Sequence, residues 1–153
     1  MAEKAIKNLS GFAVVDKTTG KTYYGCHQEW YGSDWQRRAG CGPTVASTLY
    51  YYQNRLGREW NSKEKWLALM EEVWEYVTPS SGGMPTTKMF YESVLSYTEA
   101  KGLKVQRHYC DLPEDPACRP DMAEVLKFIG DGLDQDAPVA FLNLCNGEEQ
   151  NLS

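Results

Sequence analysis

Apolar side chains recur along this chain with two periods, and the switches between them divide it into elements. Phe12-Ala13-Val14-Val15 and Thr22-Tyr23-Tyr24-Gly25 are short runs rich in β-branched and aromatic residues, separated by Asp16-Lys17-Thr18-Thr19-Gly20-Lys21. Strand-forming arms around turn-forming residues predict a hairpin. From Cys26 to Gly40 the chain is aromatic but aperiodic, and Gly32, Ser33 and Asp34 make it read as a loop. Helical spacing begins at Pro43. Val45, Leu49, Tyr52 and Leu56 fall on one stripe, and Gly57 is the expected stop. Asn61 with Glu64 three residues later predicts a second helix opened by a capping box. Its face is Trp66, Leu69, Met70, Val73, Trp74 and Val77, a stripe that reads as core.

Residues 78–85, rich in Ser, Gly and Pro, form a connection that neither helix nor strand absorbs. Thr86 or Thr87 then caps a third helix reaching Ala100, with Met89, Phe90, Val94 and Tyr97 on its face and Gly102 ending it. Leu103 to Tyr109 alternates like a strand with one face toward a core. Pro113, Pro116 and Pro120 impose an irregular connection. A second capping box, Asp121 with Glu124, opens a helix bearing Met122, Val125, Leu126, Ile129 and Leu133. Ala137 to Cys145 is almost unbrokenly apolar and reads as a buried strand, and Asn146-Gly147 after it is a hairpin turn. The expected architecture is α+β, a helical layer against an antiparallel sheet, in one domain over residues 1–153.

Charge narrows the partners. The net charge is −5 and no basic cluster exceeds a pair such as Arg37-Arg38, which argues against nucleic acid. No apolar run is long enough for a membrane span, and the N-terminal residues lack the apolar core of a secretory signal. Five scattered cysteines (Cys26, Cys41, Cys110, Cys118 and Cys145) without such a signal point to reduced thiols and a cytoplasmic setting.

The chemistry concentrates in Trp35 to Ser47, where Gly40-Cys41-Gly42-Pro43-Thr44 runs directly into a helical pattern. Pro43 fits a first helical turn, where its missing N–H costs nothing. The unpaired N–H groups of a helix start suit a negatively charged sulfur, and Gly40 and Gly42 leave space for a substrate. Cys41 is therefore the candidate nucleophile, with its own backbone N–H and the side-chain amide of Gln36 as candidate oxyanion donors. The only histidines, His27 and His108, read as ordinary surface or sheet residues. Cys26-His27 and His108 with Cys110 and Cys118 lack the paired spacing of a structural zinc site, so no metal or other cofactor is expected.

The Gln36-Arg37-Arg38-Ala39-Gly40-Cys41-Gly42-Pro43-Thr44 segment resembles papain-fold cysteine peptidases, in particular the bacterial peptidase C39-like branch. In that branch a glutamine precedes a Cys-Gly-Pro at a helix start. Gly82-Gly83, Gly102, the strand near Val105, the helix near Leu126 and Pro138-Val139 follow the order of elements in such domains more loosely. The resemblance implies a papain-like fold, Cys41 as nucleophile and Gln36 as oxyanion donor. It further implies thiol hydrolysis of a peptide or amide bond through a Cys41 acyl-enzyme. An acyltransferase or transpeptidase on the same fold, or a catalytically inactive papain-like binding module, are the alternatives. Gln36 lies one position nearer the cysteine than in papain. Such families also place the base histidine on the strand after the one resembling Pro138 to Cys145, and neither His27 nor His108 matches it. The chain is accordingly expected to be the N-terminal part of a longer domain. Alone, such a piece exposes a sheet edge and apolar surface, which invites self-association.

Overall fold

The computed structural model describes residues 3–54 and 62–142. After a short 3₁₀ turn at Leu9–Phe12, β1 (Ala13–Val15) pairs antiparallel with β2 (Thr22–Tyr24), with Val14 opposite Tyr23. Asp16 fixes the turn between them. Its carboxylate accepts the amides of Thr18 (2.9 Å) and Thr19 (3.3 Å), and Gly20 takes a φ of 70° that an L side chain rarely adopts. Lys63 closes this buried carboxylate with an ion pair at 3.2 Å.

Among the described residues five α-helices follow: α1 (Asp34–Ala39), α2 (Cys41–Asn54), α3 (Lys63–Trp74), α4 (Thr87–Ala100) and α5 (Met122–Asp134). The core lies where α2 and α3 pack together and α3 backs onto β1. Trp66, Leu69, Met70, Val73 and Val77 are buried as their spacing predicts, and Trp66 lies 3.9 Å, centroid to centroid, from Tyr51 of α2. The third helix also matches expectation. Thr86 caps α4 by accepting the Met89 amide, and Gly102 at φ 70° ends it while Leu103 N–H reaches back to the Thr98 carbonyl. At α5 the capping box is present in full: Asp121 accepts the Glu124 amide and Glu124 accepts the Asp121 amide.

Three expectations require correction. Residues 26–40 are not one loop, because α1 forms within them. The second strand pair is also missing: among the described residues the only sheet is the two-stranded hairpin. Residues 103–109 run without a ladder partner. Arg107 lies over the Tyr91 ring at 4.1 Å, and Tyr109 stacks beside it at 5.4 Å, so side-chain contacts with α4 replace strand pairing. Residues 137–142 form no strand either, and Phe141 is 77% exposed. With no strand there, the expected sheet edge for self-association does not exist in these residues. The uncovered apolar surface lies instead at Met122, Leu126 and Ile129 of α5 and at residues 139–142. The architecture is thus mixed helix with a small antiparallel sheet. The capping box expected from Asn61 and Glu64 does not open α3, whose N-cap is Ser62 with no side-chain cap bond; Leu56, Gly57, Asn61, Cys145 and the Asn146-Gly147 turn lie outside the described residues.

Asp136 ties the far end of α5 back to the body. It sits at φ 60° and accepts the Tyr52 hydroxyl at 2.6 Å and the Lys7 amide at 2.7 Å. No helix among the described residues is long and apolar enough to cross a membrane.

Candidate active site

Two helices meet end to end at the candidate nucleophile. Ser33 caps α1, accepting the Gln36 amide at 3.2 Å, and Gln36 Oε1 accepts in return from Ser33 N–H and from its hydroxyl at 2.9 Å. The Ser33-Asp34-Trp35-Gln36 spacing is a capping-box signature, and it is the signal that would have revealed α1 in the sequence. Arg37 braces the turn before it, donating to the carbonyls of Tyr31 (2.8 Å) and Gly32 (3.0 Å) and pairing with Asp34.

Gly40 joins α1 to α2 in a space that admits no side chain. A Cβ there would overlap the Gln36 carbonyl oxygen and lie 2.8 Å from the Tyr31 ring. The Gly40 carbonyl accepts the Thr44 amide at 3.0 Å and so starts the ladder of α2. Pro43 occupies the third helical position, where no intrahelical N–H is needed. Cys41 is the first residue of this 14-residue helix, and it is exposed while Gly40, Gly42, Pro43 and Thr44 around it are buried. The thiol is therefore presented at a rigid helix start, open to solution.

Gln36 is half-buried and its side chain is held at both ends. Its Nε2 donates to Glu71 Oε2 of α3 at 2.6 Å, while Oε1 is taken by Ser33. A carboxylate can only accept, so this pair fixes which way the amide faces. The capping box turns this side chain back toward Ser33, and among the described residues no hydrogen bond joins it to Cys41.

Met84 comes from the connection after α3 and packs against Gly42, the neighbour of Cys41. A Cβ at position 42 would lie 2.7 Å from Met84 Sδ, so the absence of a side chain at Gly42 makes room for that buried methionine. Neither Glu71 nor Met84 carried a sequence signal for this place, since the one sits on a helix face of several carboxylates and the other in a Gly-Pro loop.

The histidines lie elsewhere. His27 Nδ1 accepts the Glu29 amide at 3.2 Å, capping a short 3₁₀ turn, and its ring rests between Tyr23 and Trp30. His108 sits exposed in the unpaired 103–109 segment. Among the described residues neither imidazole is hydrogen-bonded to Cys41, and no three His, Cys, Asp or Glu side chains gather as a metal site. Cys26, Cys41, Cys110 and Cys118 are free thiols. They differ in setting: burial pushes the Cys26 thiol up to about 12, against a weaker lowering by its hydrogen bond with Thr48.

One turn along α2 from Cys41 lies an open apolar cavity of about 270 Å³, lined on the helix side by Thr44, Val45, Thr48 and Leu49. Val45 and Leu49 belong to the predicted core stripe, yet Val45 is 37% exposed, and residues 138–141 are the opposite wall. Compared with known proteins, the chain is matched by no family model, no curated sequence and no solved structure.

Proposed function

We propose that this protein is a thiol hydrolase with a papain-like, peptidase C39-like organisation, cleaving a peptide or amide bond through a Cys41 acyl-enzyme. The observation that carries the reading is an exposed thiol at the first position of a long helix, flanked by two buried glycines, Gly40 packed under the Tyr31 ring and Gly42 against Met84. In this reading Cys41 Sγ attacks the carbonyl carbon, and the oxygen collects charge beside the Cys41 backbone N–H and the Gln36 amide. The C–N bond then breaks, the amine leaves with a proton, and water releases the acyl group. An amine acceptor in place of water would make the same site an acyltransferase or transpeptidase. Four free thiols in the described chain suit a reducing, cytoplasmic compartment.

The engagement of His27 in its own turn supports a second reading, a catalytically inactive papain-like binding module. Alkylation separates the two. With limiting iodoacetamide at neutral pH, the hydrolase reading expects Cys41 to react selectively, while Cys26, protonated until pH approaches about 12, stays unmodified. Cys41→Ala should abolish both the labelling and any acyl release from p-nitrophenyl acetate. Equal labelling of Cys41, Cys110 and Cys118 would leave the binding module as the better account.

A further inference from the structure

The open apolar cavity of about 270 Å³ shares a helix face with the thiol. Its walls on α2 are Thr44, Val45, Thr48 and Leu49, which stand three, four, seven and eight positions after Cys41. That spacing stacks side chains along one side of a helix. Helical side chains also lean toward the N-terminus, so Val45 covers the surface next to the turn that carries Cys41. We propose that this cavity receives an uncharged apolar group on the acyl side of the bond that Cys41 attacks, which makes aliphatic or aromatic acyl groups the substrates. The proposal rests on the reading of Cys41 as nucleophile and deepens it.

Charge and position both select that class. Among the described residues the lining carries no charged side chain. Thr48 spends its hydroxyl inside the protein, donating to the Thr44 carbonyl at 3.0 Å and accepting the Cys26 amide at 3.1 Å. The Cys26 thiol, protonated until pH approaches about 12, adds no charge to the wall. A carboxylate or ammonium entering here would lose its water without gaining a partner, whereas an alkyl group gains by leaving water. The facing wall, residues 138–141, is anchored on α2 itself. Asp136 accepts the Tyr52 hydroxyl of α2 at 2.6 Å, and the Ala137 amide reaches the Gly132 carbonyl at 2.9 Å, so the segment that follows starts from a fixed point. The cavity lies about one turn, roughly 5.4 Å, along α2 from Cys41. An acetyl group on the thiol ends short of that level, and a hexanoyl chain reaches it.

The test uses the full chain and a series of p-nitrophenyl esters. In each, the Cys41 S–C bond forms, the ester C–O bond to the aryl group breaks, p-nitrophenolate leaves, and water then frees the acid. Dividing each kcat/KM by the rate of the same ester with hydroxide removes intrinsic reactivity. On that scale hexanoate should exceed acetate at least tenfold, since each methylene taken out of water is worth up to about fourfold. The glutarate monoester, of similar length but ending in a carboxylate, should fall well below hexanoate. Val45→Asp and, on the facing wall, Val139→Asp alter positions that are already partly exposed, and each should bring the hexanoate-to-acetate ratio close to one. Binding is read without turnover. In methyl-resolved NMR hexanamide should shift Val45 and Leu49 and should slow alkylation of Cys41 by iodoacetamide, whereas acetamide should do neither. A ratio near one in the parent protein, a ratio that both variants leave unchanged, or methyl shifts without protection of Cys41 would each overturn the proposal and leave the hydrolase reading standing. Hexanamide binding in a protein with no Cys41-dependent acyl release from any ester would instead overturn the hydrolase reading, and the role of the cavity with it.

Discussion

Replacing Gly40 with alanine tests whether the α1–α2 junction is as tight as its geometry requires. Backbone angles do not forbid the change, because Gly40 has φ −81° and ψ 11°, which alanine tolerates. Removing glycine should even gain about 0.7 kcal/mol by restricting the unfolded chain. The obstacle is contact. The new Cβ meets the backbone oxygen of Gln36, which cannot rotate away, and the buried Tyr31 ring at 2.8 Å. Overpacking of this kind costs about 3 kcal/mol at the upper end of its usual range, leaving a net loss of about 2 kcal/mol. For a domain of this size that corresponds to a fall in Tm of roughly 4–8 °C. Gly42→Ala is the control. Its Cβ meets only Met84 Sδ, the mobile end of an unbranched side chain, and helix propensity offsets part of the strain. Its cost should stay below about 1 kcal/mol. Urea denaturation followed by far-UV circular dichroism measures both. A Gly40→Ala protein within about 0.5 kcal/mol of the parent, or one more stable than Gly42→Ala, would refute the junction as described.

Other perturbations read different parts of the structure. Trp66→Ala empties a fully buried site against Tyr51 and should cost about 3–5 kcal/mol in urea denaturation, among the largest single effects in the core. Asp121→Ala removes the α5 capping box and should cost about 1 kcal/mol, seen as faster amide exchange confined to the first turn of α5. At Asp16 desolvation pushes the carboxyl up, but the Lys63 ammonium and the Thr18 and Thr19 amides together outweigh it and hold it below the usual carboxylate range. A depressed folded pKa contributes stability that is present above the unfolded pKa and lost as pH falls through the folded one. Asp16→Asn should therefore flatten the acid limb of the stability profile below pH ~4, and an unchanged limb would remove Asp16 from its cause.

The helices were legible because their signals are local. Capping residues, a glycine stop and an apolar stripe all lie within one element; they name the buried face of α3, both ends of α4 and the opening of α5, while the cap expected at Asn61 gives way to Ser62. Strands depend on partners that no local pattern supplies. Leu103 to Tyr109 alternates, but alternation states only that two faces differ. Here Tyr91 of α4 offers Arg107 and Tyr109 a ring to cover, and no ladder forms. The apolar run from Ala137 makes the same point, since apolarity shows a demand for cover without identifying what provides it. Its described part ends α5, with the Ala137 amide reaching the Gly132 carbonyl, and then crosses α2 as the outer wall of the cavity.

The setting of Cys41 at a helix start was legible for a related reason: glycines and a proline adjoin it in sequence, so the turn into α2 is built from its own neighbours. Gln36 was only half legible. Its capping box with Ser33 is local and fixes one end of the amide, but the partner of the other end lies outside its segment. That partner is Glu71, thirty-five positions later, and the cover over Gly42 comes from Met84 in a loop read only as a connection. Local sequence therefore supplies the exposed thiol and its helix start, and long-range packing fixes the side chains around them.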